Sequence, residues 1–346
     1  EIATNLAAFF NETGISHLDF DGHEGCLASG QGDYAINLFA KDFYDHLDHE
    51  VLNGTSLSKT YYWHINTFCN WGEPWYGGFK ESMQEYRISN QELFDRNFMP
   101  HMLGWYLLTQ NTTLSEMEWM LARAAGYDAG FAMVADLKSI KNNPIGGQLL
   151  DAIREWETAR LAKAFSLNQM ERMKNPKNEF HLENVNEKEW NLFQYVTFGP
   201  YVHEKYNLQP GAPVNTECNF ELQSFEQPFQ FKIDVSGTSG SVKKIRLQLD
   251  NYTELEIDQE LKPDETLICD GMVLRVFDNK GKQKNTVELS QKIPVLAVGK
   301  HTVLLNATFT DAESSKLLFI VKALSNPEKA EAIQNFDQEL RDFAEN

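Results

Sequence analysis

"ISHLDFDGHEG", Ile15 to Gly25, is the stretch on which the reading of this chain turns. Ile15–Asp21 has the pattern of a strand. Its side-chain period of two puts His17, Asp19 and Asp21 on one face, and Leu18 and Phe20 on the other. Gly22 lets the chain turn, and Glu24 follows in the loop. So many acids at one strand end admit three readings: a hydrated polar turn, a metal cluster, or half of a catalytic carboxylate pair. The segments on either side narrow the choice.

Before the strand, residues 1–12 carry a short apolar helix pattern, and "ETG" turns the chain. After it, "GQGDY" (Gly30–Tyr34) opens a helix over 33–50, with Tyr34, Leu38, Phe39, Phe43 and Leu47 at helical spacing. No P-loop Lys-Ser/Thr follows these glycines, so they read as a turn and helix start. Further on, "TYYWHIN" (60–66) reads as a strand and 79–95 as a helix. "PHMLGWYLL" (100–108) reads as a strand. Leu114–Ala125 is a helix capped by Ser115, with Glu118 three residues on. "YDAGFAMVA" (127–135) is an apolar strand, and 146–173 reads as one long helix ended by Asn175-Pro176.

Helix and strand alternate about four times, which predicts parallel β/α units. A complete (β/α)8 barrel takes ~250 residues, and only about 175 are here. The region therefore predicts either a small open sheet or the later half of a barrel. From about residue 180 the texture changes to many short alternating stretches such as "PFQFKIDVS" and "HTVLLNATF", split by Ser-Gly, Asp-Gly and Val-Gly-Lys turns. Such spacing predicts an antiparallel β-sandwich. The expected fold class is thus α/β plus all-β, with a small open sheet or a partial (β/α)8-type barrel followed by an antiparallel β-sandwich; the resemblance described below implies the partial barrel. The expected boundaries are a barrel-like catalytic region at 1–178 and connecting strands at 179–205. A sandwich follows at 206–325, then an acidic terminal helix or tail at 326–346.

Bulk properties exclude some functions. The chain has 346 residues, 42% hydrophobic and 23% charged, with a formal charge of −19. An acidic chain without a basic stripe should repel a phosphate backbone, so nucleic acid is not an expected partner. No apolar run reaches the ~18–20 residues of a membrane span. Cys26, Cys69, Cys218 and Cys269 lack metal-type spacing and read as core thiols or at most one bridge. Beginning at Glu1 without a signal peptide, the chain reads as mature or trimmed.

"NTFCNWGEPWYGGF", Asn66 to Phe79, is the second constellation and follows the next expected strand. It sets one acid, Glu73, between Trp71 and Trp75, beside Tyr76, with glycines for mobility. Flat rings stack on sugar faces, and an apolar wall raises a carboxyl pKa, as a general acid requires. Two carboxylates at adjacent strand ends are what glycoside hydrolysis needs. On this reading Asp21, Asp19 and Glu73 are catalytic. Glu24, His17, His64, Asn66, Trp71, Trp75, Tyr76 and Trp105 line the substrate. Glu81, Glu85 and Asp95 read as solvated helix charges. The metal alternative uses His17, Asp19 and Asp21, but no HExxH or EF-hand pattern supports it. No G-x-S-x-G elbow is present. Trp156 and Phe165 are expected to pack on strands, leaving Glu155, Glu157 and Arg160 to solvent, and Asp128 near a sheet edge.

The order of "ISHLDFDGHEG", "NTFCNWGEPWYGGF", "MPHMLGWYLL", "AGYDAGFAM" and "IREWETARLAKAF" resembles the later half of large glycoside-hydrolase-like (β/α)8 proteins with a C-terminal β-sandwich, of the type found in polysaccharide-degrading Bacteroidota. More distantly it is similar to α-galactosidase and endo-α-N-acetylgalactosaminidase barrels. The resemblance runs from about residue 5 to 325 and is strongest in the first 165. It implies an Asp nucleophile at a strand end, Asp21 or Asp19, and Glu73 as acid/base in a retaining mechanism. It implies a secreted or periplasmic setting and a carbohydrate substrate. The chain departs from the pattern in having no strand before Ile15. The expectation is that an earlier barrel half comes as a second chain, or that a homodimer compensates. No cofactor is expected. The competing readings are a non-catalytic carbohydrate-binding protein and a metal-assisted hydrolase or lyase built on His17, Asp19 and Asp21.

Overall fold

The structure is a computed structural model that describes residues 1–20, 30–55, 67–69, 102–204, 214–279, 281–310 and 315–333. The chain divides into two compact units. One comprises Glu1–Thr112, Met120–Gly147 and Leu167–Pro176; the other comprises Thr113–Trp119, Gln148–Ser166 and Lys177–Asn346.

The first unit begins with α1 (Ile2–Thr13), β1 (His17–Phe20), α2 (Gly32–Asp45), β2 (Leu52–Thr55) and β3 (Phe68–Cys69). Helix α1 stops where Gly14 takes φ 68°, a left-handed conformation that costs glycine little, and its N–H bonds Phe10 O at 2.8 Å. The three strands pair in the order β1-β2-β3, both pairings parallel. A helix between parallel sequential neighbours is the β/α repeat that the alternation of patterns predicts. On β1, His17 and Asp19 are exposed while Leu18 and Phe20 turn inward, so the period-two reading holds. The inward residues meet an aromatic cluster. Phe10 and Phe43 stand edge to face at 5.4 Å, and Phe20 meets Phe39 the same way at 5.7 Å.

Next come β4 (Met102–Leu107), α3 (Leu114–Tyr127) and β5 (Gly130–Val134), with β4 and β5 again parallel. These parallel strands fall into two separate pieces, β1-β2-β3 and β4-β5. Among the described residues they do not make a closed barrel. Then follow α4 (Leu137–Asn142), α5 (Gly146–Leu161) and α6 (Leu167–Lys174).

Several boundaries differ from the sequence reading. Helix α2 ends at Asp45 rather than near 50. Tyr127 ends a helix instead of opening a strand. Asp128 takes φ 49° and Ala129 N–H reaches back to Ala124 O at 2.8 Å, a left-handed stop that Asp tolerates. The expected helix over 146–173 is two helices. Lys163 stands at φ 53°, and Ala164 N–H bonds Ala159 O at 3.0 Å, closing the last turn of α5. Helix α4 was not anticipated; Asp136 starts it by accepting from Ser139 N–H at 2.7 Å.

The second unit contains antiparallel strands. They are β6 (Phe180–Asn186), β7 (Glu189–Glu204), β8 (Thr216–Leu222), β9 (Gln227–Pro228) and β10 (Gln230–Gly237). Then come β11 (Val242–Leu249), β12 (Thr253–Ile257), β13 (Thr266–Cys269), β14 (Leu274–Phe277) and β15 (Gln283–Val287). The last are β16 (Val295–Leu296), β17 (Gly299–Phe309), β18 (Ser315–Leu324) and β19 (Glu328–Glu331). An eight-stranded sheet runs β15-β14-β13-β10-β18-β7-β19, with β6 also on β7, and a four-stranded sheet runs β12-β11-β17-β8. The two sheets share one core in which Phe231, Ile233 and Phe319 of the larger meet Leu247, Val303 and Leu305 of the smaller. Alternation is strict on β18, where every second residue is buried. This unit is therefore sandwich-like, and the chain as a whole is a mixed fold of parallel β/α and antiparallel β.

Residues 328–331 were expected in a terminal helix or tail. They instead pair antiparallel with β7, Ala330 opposite Trp190. Glu331 N–H and Ile333 N–H also bond Ala164 O and Ala162 O, at 3.1 and 3.2 Å. These long-range hydrogen bonds decide the conformation of a stretch whose own pattern favours helix.

Candidate functional site

Of the residues singled out from sequence, Asp21, Glu24, His64, Asn66, Trp71, Glu73, Trp75 and Tyr76 lie outside the described residues, as do Glu81, Glu85 and Asp95. His17 and Asp19 are described, and they share the exposed face of β1. Trp105 lies on β4 in register with Ala132 of β5.

The frame that carries His17 and Asp19 is built from local bonds. Leu52 N–H donates to Ser16 O at 2.8 Å, starting the parallel ladder, and Asp19 pairs with Gly54. His49 braces the entry to β2. Its two ring nitrogens stand 2.8 Å from Asp48 Oδ1 and 2.9 Å from Ile15 O. Those two contacts raise the His49 pKa. Thr67 and Asn53 exchange bonds at 2.8 and 3.0 Å, fixing the approach to β3. Both side chains on this face therefore sit on a braced parallel strand. Among the described residues, no group of three or more His, Cys, Asp or Glu could hold a metal ion.

A second polar centre, missed from sequence, lies in the sandwich-bearing unit. The sequence reading paired Ser115 with Glu118 as a helix cap. In the structure the capping box is Thr113 with Glu116. Glu116 N–H donates to Thr113 Oγ1 at 3.2 Å, and Thr113 N–H donates to Glu116 Oε2 at 2.8 Å. That frame is two residues earlier, so Glu118 is free for another task. It is 2% exposed, and both its oxygens are engaged. Trp156 Nε1 of α5 donates to Oε1 at 3.3 Å, and Leu182 N–H of β6 donates to the same oxygen at 3.2 Å. His181 Nδ1 lies 2.9 Å from each oxygen. A carboxylate only accepts, so Nδ1 carries a proton. On the other side, His181 Nε2 faces Glu183 Oε1 at 3.4 Å.

Two related contacts flank this centre. Glu155 of α5 was expected in solvent, but its Oε2 accepts from Trp190 Nε1 at 3.2 Å and from Asn184 Nδ2 at 2.8 Å. Glu179 accepts from Ser115 Oγ at 3.2 Å and pairs with Lys322, whose ammonium sits 4.0 Å over the Tyr195 ring. Burial, then the charges of Glu118 and Glu179, hold the Tyr195 phenol well above its usual range. Trp156 and Phe165 are buried and stack on each other at 5.7 Å.

One signal in the sequence could have found Glu118. Met117 to Gly126 are all buried, and the stretch reads "MEWMLARAAG" with only Glu118 and Arg123 charged. A helix that is apolar nearly all round is a core helix, and a charge on it needs a partner.

With both oxygens occupied and the site closed, Glu118 is a structural carboxylate. What the described residues hold of the predicted site is the exposed face of β1 that carries His17 and Asp19.

No family model matches the chain, and no curated protein matches it. Among solved structures, it is similar to an Arthrobacter globiformis T6 isomalto-dextranase complexed with panose, at 10% identity and a TM-score of 0.30, covering 92% of this chain and 71% of that one. It is also similar to a two-domain esterase active on acetylated mannans, co-crystallised with mannopentaose, at 11% identity and a TM-score of 0.22, covering 94% and 95%. A third is a family two carbohydrate esterase from Cellvibrio japonicus, at 13% identity and a TM-score of 0.17, covering 40% and 36%.

Proposed function

We propose that this chain is a carbohydrate-active hydrolase that cleaves glycosidic bonds with two carboxylates. Asp21 or Asp19 is the nucleophile and Glu73 the acid/base, in a retaining reaction through a glycosyl–enzyme intermediate. The observation that carries this reading is Asp19 standing exposed beside His17 on a parallel strand linked to the next by a helix. In β/α repeats the catalytic groups gather at the C-terminal ends of the strands, and Asp21 follows that end directly. The Trp71-Gly-Glu73-Pro-Trp75-Tyr76 stretch supplies flat rings for a sugar and an apolar wall for the acid. Retention asks for a carboxyl separation of ~5–5.5 Å, so nucleophile and acid flank one glycosidic oxygen. The nucleophile attacks the anomeric carbon while Glu73 protonates the leaving oxygen. Glu73 then takes the proton of the water that frees the sugar. The working place is the cell exterior or periplasm.

The test is a panel of α- and β-glycosides with the wild type and the Asp21→Asn, Asp19→Asn and Glu73→Gln variants. The active Asp and Glu73 should each cost ~10²–10⁴-fold in turnover. Glu73→Gln should lose least on aryl glycosides whose leaving group needs no protonation. Glycan binding without turnover would overturn the enzyme reading in favour of a carbohydrate-binding protein. Turnover lost in chelator and restored by one metal would overturn the two-carboxylate mechanism.

A further inference from the structure

We propose that His181 is a proton-operated clasp between α3 and the edge strand β6, closed while the imidazole carries both protons and loosened when it is neutral. The argument is geometric. A neutral imidazole has one N–H and one lone pair, so it can donate to only one carboxylate. His181 faces a carboxylate at each nitrogen, Glu118 at 2.9 Å and Glu183 at 3.4 Å. Only the doubly protonated ring donates to both; in the neutral ring one lone pair points at a carboxylate oxygen.

What the ring holds makes this matter. Among the described residues β6 pairs only with β7, which leaves its outer edge without a strand partner. Glu118 reaches that edge from α3 and accepts the outward N–H of Leu182. Its other donors, the Leu182 amide and the Trp156 indole, are neutral. The imidazolium is the cation that offsets this 2%-exposed carboxylate. Removing its proton leaves a buried anion held by neutral donors alone.

The surrounding groups do not replace it. From β6 itself the neighbour is Glu183, and from β7 the ring lies over Phe193 at 6.0 Å. The acid on α5, Glu155, is engaged with Trp190 and Asn184. Lys322 of β18 is paired with Glu179 and sits on Tyr195. Burial alone would lower the His181 pKa, but the bond to and charge of Glu118, then those of Glu183, outweigh it and raise the value above 6.5. A histidine so raised stabilises the fold fully below its unfolded pKa, near 6.5. The contribution is lost as pH climbs through the folded value. Buried His203 is shifted downward and acts with the opposite sign, so the clasp must be read as a difference between proteins.

The experiment uses the full chain. Melting temperature is measured from pH 5.5 to 8.5 for the wild type, His181→Gln and Glu183→Gln, and the His181 ring is titrated by NMR. The wild type should lose more stability than His181→Gln as pH rises, so the gap between them closes. The protection factor of the Leu182 amide should fall over the same range in the wild type and stay level in His181→Gln. Glu183→Gln, a change at a half-exposed side chain, should keep the fold and move the ring's midpoint down. A wild-type ring titrating below 6.5, or a gap constant across the range, would overturn the clasp. If His181→Gln fails to fold, the wild-type midpoint and its response to Glu183→Gln decide the matter alone.

Discussion

Replacing Glu118 by Ala should destabilise the sandwich-bearing unit by about 2–6 kcal/mol, and the estimate can be built bond by bond. Removing the carboxylate strands the Trp156 Nε1–H and the Leu182 N–H, on residues 1% and 7% exposed. Each buried donor left without an acceptor costs ~1–3 kcal/mol. His181 is 23% exposed, finds water, and adds little. Glu118→Gln is the control. It keeps an oxygen for Trp156 and Leu182 and disturbs only the His181 side, so its cost should be ~1–2 kcal/mol. Urea titration followed by tryptophan fluorescence reads both, with the slope of the transition checked for constancy. A cost below ~1 kcal/mol for the alanine variant would refute the reasoning. So would equal costs for the two variants, since the carboxylate's acceptor role would then carry nothing.

Three further outcomes are expected. Gly126→Ala gains helix propensity but should lose stability by about 1–3 kcal/mol, because a Cβ there would lie 2.9 Å from the backbone of Met170 and of Lys174 in α6; thermal melts check the sign. Thr113→Ala removes one half of the capping box and should cost ~1 kcal/mol, whereas Ser115→Ala should cost less, a ranking that urea midpoints resolve and that the Ser115 frame would reverse. Burial holds the thiols of Cys218 and Cys269 at about 12, so peptide mapping after alkylation at pH 8 should find both unmodified in the native protein and labelled after unfolding.

The parts of this fold legible in the sequence were those set by local period. The alternation of Ile15–Asp21 is visible in seven letters, and β1 keeps it, with His17 and Asp19 outward and Phe20 inward. Short alternating stretches after residue 180 likewise became the strands of the antiparallel sheets. What could not be read depends on partners far along the chain. Thr113-Glu116 and Ser115-Glu118 are equally good capping frames by spacing; only the arrival of His181 and Leu182, more than sixty residues on, takes Glu118 for the second role. The break at Lys163 has no glycine or proline to announce it, because a lysine supplies the left-handed residue. "EKAE" at 328–331 is a poor strand by propensity and becomes one through β7. For the candidate site the legible part is the shared face of His17 and Asp19. Its relation to Glu73 is a matter of tertiary distance, which residue spacing does not encode.

Strand β7 joins the two ends of the sandwich-bearing region in time as well as in space. Its C-terminal part pairs with β18 and its N-terminal part with β19, partners that lie about 110 to 140 residues later. During synthesis at ~5–20 residues per second, Glu189–Glu204 would leave the ribosome roughly 6–30 s before those partners exist. For that interval only the Glu189–Gln194 part of this sixteen-residue strand has a strand partner, β6, and the rest is open to any other nascent chain. A chaperone holding this stretch until residue 324 has emerged would shield the part of the molecule most exposed to misassociation. Yield in a cell should therefore depend on elongation rate between residues 205 and 324 more than on the stability of the finished protein.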